Sequence, residues 1–468
     1  MLFNKDANRV LAIFEELCAI PHGSGNTDAI SAHIAAFAEG LGLPCIRDGA
    51  NNLIIKKPGT RGYEDHPAVI LQGHIDMVCE KDPDVEFDFE KDSLKLRREG
   101  KFLMATGTTL GGDNGIAVAF AMALLESKRI PHPPLEIVLT SDEEIGMLGA
   151  AALDPSPLEG RIMLNLDSEE EGIFTAGCAG GVRLHLSLPV NRCACEGQAY
   201  RLTVSGGSGG HSGAEIHRGI ANVVRLTANC LKEADGLRLI TLSGGGKDNA
   251  IPSHCVAEFV ADPASFPKME AVFAAAKDAH AKTDPNLTYT CEPIDGGDAL
   301  DEASTKATLR LLTETPDGVQ AMSPIAGLVQ TSLNLGIAYV DASAHATFLV
   351  RSSVNREKAD LRARLEAFVA ELGGTSDASG DYPAWEYREN SPFREKMIDE
   401  YDKLYGKYPR VEVIHAGLEC GLFSDKLPGL DAVAIGPEMY DIHTPRERLS
   451  IPSVKRTWRF IKQILKAL

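Results

Sequence analysis

The chain of 468 residues is 44% apolar and 24% charged, which is ordinary globular usage. A formal net charge of −19 disfavours the phosphate backbone of nucleic acids as a partner and otherwise serves solubility. No apolar run reaches the roughly 18 residues that a membrane span needs, so a membrane partner is not expected.

The start, Met1-Leu2-Phe3-Asn4-Lys5-Asp6, does not show a basic region, an apolar stretch and a small-residue cleavage site in succession. A signal peptide is therefore not expected, and the reading is a cytoplasmic protein. A helix is predicted over about 6–19 and a second over about 27–41, the latter with Ile30, Ile34, Phe37 and Leu41 on one face. Next, Ala68-Val69-Ile70-Leu71 reads as a buried strand and runs into Gln72-Gly73-His74-Ile75-Asp76. In extended backbone His74 and Asp76 point the same way. An imidazole beside a carboxylate suits a metal-binding histidine whose tautomer is fixed by its neighbour. Alone the pair is weak, because surface ion pairs and capped turns share it.

Thr109-Leu110-Gly111-Gly112-Asp113-Asn114-Gly115 cannot be a comfortable helix or strand interior. The alanine-rich run Ile116–Leu125 that follows is apolar all round and reads as a buried helix. Asp113 thus lies on a tight loop at a helix start, either as a cap, with Asn114 as the other candidate, or as a rigidly held carboxylate. Ile137-Val138-Leu139 is a core strand, and Thr140-Ser141-Asp142-Glu143-Glu144 follows it. Ser141 or Asp142 is a candidate cap for a following helix, whose dipole the acids would suit. Consecutive acids at the carboxyl end of a strand also sit where ligand sites of open α/β sheets lie. Two adjacent glutamates can divide labour, one binding a metal and one moving a proton. Ile162-Met163-Leu164-Asn165-Leu166 again ends in an acid, Asp167.

Strands and helices alternate to about residue 180, which argues for an α/β fold with a mostly parallel sheet flanked by helices. The texture then changes. Val182–Leu188 and Tyr200–Val204 alternate with period two, as strands of a half-exposed antiparallel sheet do. The glycine-rich stretch 206–213 leads to a helix ending near 234, and Cys255–Val260 is another strand. A similar cycle recurs at Ser343–Arg351 and a helix over about 356–372. The expectation is an inserted α+β lid domain at 183–382, within a catalytic domain made of 1–182 and 383–468. A helix at about 393–406 and the strand Ala432–Gly436 then bring the chain to Asp441-Ile442-His443-Thr444-Pro445-Arg446-Glu447.

Five clusters thus deliver His74, Asp113, Glu144, Asp167 and His443. Two histidines and three carboxylates suit two divalent cations sharing one carboxylate, most simply zinc, with cobalt or manganese also admissible. The ten cysteines are scattered; most sit in apolar surroundings, and only Cys193-Ala194-Cys195 is closely spaced. Neither a disulfide framework nor a structural zinc site is expected of them.

In order, Gly73–Asp76, Gly111–Gly115, Asp142–Gly146, Asn165–Asp167 and His443–Glu447 resemble the metal motifs of the two-zinc carboxypeptidase/aminoacylase superfamily. Ile20-Pro21-His22-Gly23-Ser24-Gly25-Asn26, Leu71–Val78 and His415-Ala416-Gly417-Leu418-Glu419-Cys420-Gly421 resemble its aminoacyl-histidine dipeptidase branch, the Xaa-His or carnosinase-type enzymes. The resemblance covers essentially the whole chain. It implies that Asp113 bridges two metals, with Glu144 and His443 completing one site and His74 and Asp167 the other. It gives Asp76 the task of orienting His74, and Glu143 that of general base. It also implies a cis peptide between Asp113 and Asn114.

In the lid, the resemblance makes His211, within Ser208-Gly209-Gly210-His211-Ser212-Gly213, the donor to the scissile carbonyl. From spacing alone it reads as a turn histidine. The resemblance gives Arg351 to the substrate carboxylate, where the residues alone read as a surface charge, and gives Asn249 a hydrogen bond to substrate. The implied partner is a small peptide, and a homodimer is compatible with the sequence. The rival readings are hydrolysis of another short peptide or N-acyl amino acid, and a silent metal-loaded peptide-binding protein. No Gly-x-Ser-x-Gly elbow follows a strand in the metal-binding half, so serine chemistry has little support.

Overall fold

The computed structural model describes residues 8–325 and 327–468 and divides into two compact units. One comprises residues 1–177, 387–413 and 418–468; the other comprises residues 178–386 and 414–417. The first two residues of the helix expected over 6–19, and the N-terminal stretch read for a signal peptide, lie outside the described residues. The described helix runs Arg9–Leu17, and the second runs Asp28–Gly40.

The first unit is built on an eight-stranded sheet. Its order is Cys45–Arg47, Leu53–Lys57, Leu135–Thr140, Val69–His74, Ile162–Asn165, Asp431–Ala434, Ile173–Cys178 and Arg410–Ile414. The parallel part is the central four strands, Leu135–Thr140 to Asp431–Ala434. Around them the pairing turns antiparallel, because Cys45–Arg47 and Leu53–Lys57 form a hairpin rather than a crossover unit. The central strands Val69–His74 and Leu135–Thr140 are buried along their whole length, as expected of strands covered on both faces. The helix Gly112–Glu126 packs on Val69–His74, and every residue from Asn114 to Leu125 is buried, which explains its lack of a polar face. Trp458 of the C-terminal helix Ile451–Ala467 stacks on Phe120, with ring centroids 5.8 Å apart.

Register decides where the unit's chemistry lies. His74 pairs with Thr140, and Gln72 pairs with Asn165. The parallel strands therefore end level, and the chain leaves each of them on the same edge. A small antiparallel sheet, Met439–Tyr440, Arg448–Ser450, Phe102–Ala105 and Leu96–Glu99, carries the 441–447 loop between its first two strands.

The second unit holds a nine-stranded antiparallel sheet. Eight strands run in the order Thr288–Ile294, Ala199–Ser205, Cys255–Val260, Arg238–Gly244, Val329–Val340, Ser343–Ser352, Gly180–Pro189 and Thr375–Tyr382, and Gly318–Met322 pairs with Val329–Val340. The two strand-and-helix cycles read in the sequence are two halves of one sheet. They are joined where Ser243 pairs with Tyr339 and Gly244 with Ala338. This unit has its own apolar core, including Phe259, Phe348, Leu333 and Leu365.

Candidate metal centre

Three of the five expected ligands stand at or just beyond the level ends of the parallel strands. His74 is the last residue of its strand and is 1% exposed. Its Nε2 lies 3.3 Å from Asp113 Oδ1 and 3.6 Å from Asp167 Oδ1. On the other side, His443 Nε2 lies 3.2 Å from Asp113 Oδ2 and 3.0 Å from Glu144 Oε1. The two oxygens of Asp113 thus face two separate sets, His74 with Asp167 and His443 with Glu144. The ligand atoms of each triplet lie within 4.8 Å of one another. A third such group joins His74, Glu143 and Glu144. Two imidazoles and three carboxylates around one shared carboxylate fit a pair of borderline-soft divalent cations in their chemistry as well as their spacing.

Asp76 does more than face His74. His74 Nδ1 lies 3.1 Å from the Asp76 carbonyl oxygen and 3.3 Å from its carboxylate, so a neutral ring protonated there leaves the Nε2 lone pair to the centre. The same carboxylate accepts the backbone N–H of Glu143 (3.0 Å), that of Glu144 (3.3 Å) and the Ser24 hydroxyl (2.8 Å). One acid therefore positions a histidine and both glutamates. Ser24 lies in the Ile20–Asn26 motif, whose Gly25 N–H also reaches Asp142 (2.7 Å).

Neither Ser141 nor Asp142 caps a following helix. The next helix is Leu148–Ala152, preceded by Met147. The reason is local: Asp142 has φ +52° and turns the chain out of the strand, and the N–H groups that a helix would leave free are bound by Asp76. Glu143 and Glu144 consequently sit on a loop. Asp113 is likewise no cap. Gly111, at φ +66°, precedes the helix Gly112–Glu126, and Asp113 and Asn114 are non-helical within it. The peptide between them is cis. Asn114 accepts the His74 N–H (3.2 Å) and donates to the Leu166 carbonyl (2.9 Å). A Cβ on Gly73 would lie 2.4 Å from Asn114 Oδ1, so glycine is what lets this helix start approach the strand. Glu447 accepts from the N–H groups of Leu110 (2.7 Å), Gly111 (3.1 Å) and Gly112 (2.8 Å) and clamps the loop from the far end of the sequence.

Burial and charge pull these groups in opposite directions. Burial pushes the Glu143 carboxyl well above its usual range; His74 opposes this, and Asp167, Glu419 and Glu144 add to it. Burial also raises Asp167, to about 6. Asp113 goes the other way, because its bonds to His443 and His74 outweigh burial and hold it low. His443 is raised to about 11, its contacts to Asp113 and Glu144 overcoming burial.

In the second unit the structure gathers the other three candidates. Ser212 N–H donates to the Asn249 carbonyl (2.9 Å), and Ile251 N–H to that of Gly210 (2.9 Å), which ties the His211 and Asn249 loops together. His211 Nδ1 accepts the backbone N–H of Gly213 (3.2 Å) and Ala214 (3.0 Å). A neutral ring must then carry its proton on Nε2. Burial and the nearby Arg351 charge lower its pKa, which favours that neutral donor form. Arg351 is 7% exposed rather than a surface charge, because it lies next to the end of a strand paired on both sides in the sheet interior. Its Nη1 donates to the Tyr382 hydroxyl (3.1 Å), while its Nε is buried without a partner among the described residues. His415, lowered to about 3 by burial and by Arg351, bonds Ser332 through Nε2 (2.7 Å). His415 opens a motif that the resemblance singled out, though with no role given to it, whereas Tyr382 and Ser332 carry no pattern in sequence that would have flagged them.

A family model described as peptidase family M20/M25/M40 matches residues 70–467. The chain is 38% identical over 469 residues to the cytosol non-specific dipeptidase of Escherichia coli strain K12, covering 97% of this chain and 96% of that protein. Among solved structures it is similar to the aminoacylhistidine dipeptidase from Vibrio alginolyticus. The TM-score is 0.90 at 34% identity, covering 99% of this chain and 97% of that one. Human carnosine dipeptidase 1 shares the fold alone, with a TM-score of 0.52 at 10% identity over 98% of this chain and 95% of that one.

Proposed function

The chain belongs to peptidase family M20/M25/M40, and on that premise we propose that it is a metal-dependent dipeptidase preferring Xaa-His substrates, β-Ala-His among them. The observation that carries the metal reading is the division of Asp113, one oxygen toward His74 and Asp167 and the other toward His443 and Glu144. Two divalent cations held there, zinc foremost, would polarise the scissile carbonyl and bring a water's pKa toward 7.

The chain's own residues carry the rest. Glu143 takes a proton from the attacking water at its carboxylate and delivers it to the leaving amine. Burial raises its pKa, so this carboxylate holds a proton more readily than an ordinary one does. Asp76 holds the Glu143–Glu144 backbone and the His74 ring still while the proton moves. His211 offers Nε2–H to the carbonyl oxygen as negative charge develops there. Arg351 pairs with the free carboxylate of a short substrate, and its unpartnered Nε is a donor suited to that pairing. Asn249 supplies a further hydrogen bond to substrate.

The Xaa-His preference draws support from the likeness to the Vibrio alginolyticus enzyme. A broader dipeptidase is the second reading, favoured by the likeness to the Escherichia coli protein. Rates on Ala-His, β-Ala-His, Ala-Ala, a tripeptide and an N-acetyl amino acid separate them. The proposal expects the two histidine dipeptides to lead. Equal rates on Ala-Ala would establish the broader reading, and faster cleavage of the N-acetyl amino acid would overturn both.

A further inference from the structure

Helix Cys420–Lys426 is preceded by a buried acid, Glu419, that has no task in the proposed chemistry. Glu419 is 0% exposed. Its Oε2 accepts from the Thr140 hydroxyl at 2.6 Å and from the Gln72 side-chain amide. Gln72 accepts in turn from Asn165 Nδ2 (2.5 Å), and Asn165 Oδ1 accepts the Asp167 backbone N–H (3.2 Å). Each of these partners lies near the end of a strand that leads to proposed ligands. Gln72 stands two residues before His74, and Asn165 stands two before Asp167. Thr140 ends the strand that runs into Glu143 and Glu144. One side chain thus ties three strand ends together, below the edge where the ligands emerge.

The other carboxylate oxygen, Oε1, is buried and has no hydrogen-bond partner among the described residues. A buried carboxyl with half its bonding capacity unmet destabilises a fold. Glutamine would match it in shape without a charge to desolvate, so the position is poorly explained by stability. The same three strand ends must, however, keep His74, Glu144 and Asp167 in register.

We infer that Glu419 is a positioning residue for the metal centre, acting through Gln72, Thr140 and Asn165 on His74, the Glu143–Glu144 loop and Asp167. The inference rests on the reading of these residues as a cation site. Its test is Glu419→Gln, with zinc affinity measured by chelator competition and melting temperature measured on the stripped protein. Zinc affinity is expected to fall about 10- to 100-fold, the usual effect of removing a group that orients ligands. The stripped variant should melt no lower than the stripped wild type, since a buried carboxyl has been neutralised. Unchanged affinity would overturn the inference. So would a loss of affinity matched by a comparable loss of melting temperature, which marks plain support of the fold. If Glu419→Gln does not fold, Thr140→Val, which deletes one of the two donors, takes its place: weaker zinc binding supports the inference and unchanged binding overturns it. A wild-type protein that takes up no zinc would defeat the cation reading itself and this inference with it.

Discussion

At the scale of single residues, Glu143 and Glu144 are chemically identical neighbours with different surroundings. Glu144 contacts His443 at 3.0 Å, whereas Glu143 is lifted well above its usual pKa by burial and by its acidic neighbours. Glu143→Ala should therefore keep its bound metal, read by elemental analysis, and lose turnover of Ala-His by about 10²- to 10⁴-fold. Undiminished turnover would show that the base lies elsewhere. Asp76→Ala should behave differently, because Asp76 holds His74, Glu143 and Glu144 together. Metal affinity is expected to drop about 10- to 100-fold, measured by chelator competition. The five candidate ligands were legible in sequence because each ends or follows an apolar strand or lies in a glycine-rich turn. The supporting contacts were not. Ser24 and Asp76 lie 52 positions apart, and Glu447 clamps a loop 335 positions away from it, and no local pattern encodes such pairings.

At the scale of elements, the start of helix Gly112–Glu126 has to come against the end of strand Val69–His74. Gly73 permits that approach. In Gly73→Ala the new methyl would meet Asn114 Oδ1 at 2.4 Å and Ala117 Cβ at 2.7 Å, so a loss of about 1–3 kcal/mol is expected from thermal or urea unfolding. The same loop carries a pH signature. Burial lifts Glu447 to about 7 from an ordinary 4.5, against the pull of its backbone N–H bonds. Between those values the folded chain binds the proton and the unfolded chain releases it. Stability is therefore expected to fall as pH rises from about 4.5 through 7 in chelator-stripped protein, and the slope should be shallower in Glu447→Gln. Equal slopes across that window would remove Glu447 as a source. The strands and the buried helix were readable from apolar runs and alternation. The helix expected directly after Thr140 was not found, because the Asp76 carboxylate binds the N–H groups that a cap would have served. Propensity cannot anticipate a competitor supplied by another strand.

At the scale of the whole molecule, two cores share one chain. The sequence changes from alternating strand and helix to half-exposed period-two strands near residue 180, and the second unit comprises residues 178–386 and 414–417. Less visible was the return of Ile414–Gly417 to the second unit, four residues too short to leave a composition signal. The nine-stranded sheet and its core fall entirely within residues 178–386. An isolated 178–386 fragment is expected to unfold cooperatively with denaturant, and a non-cooperative fragment would show that this core is not self-sufficient. No helix among the described residues is long and apolar enough to cross a membrane. His74, at the end of its strand, converges with Asp113, Glu144, Asp167 and His443, which come from segments spread over most of the first unit. The most direct measurement is stepwise return of a divalent cation to chelator-stripped protein while Ala-His hydrolysis is followed. The account expects stripped protein to be inactive and activity to be complete at two equivalents per chain. Hydrolysis that survives stripping, or that returns in full with no cation bound, would contradict it.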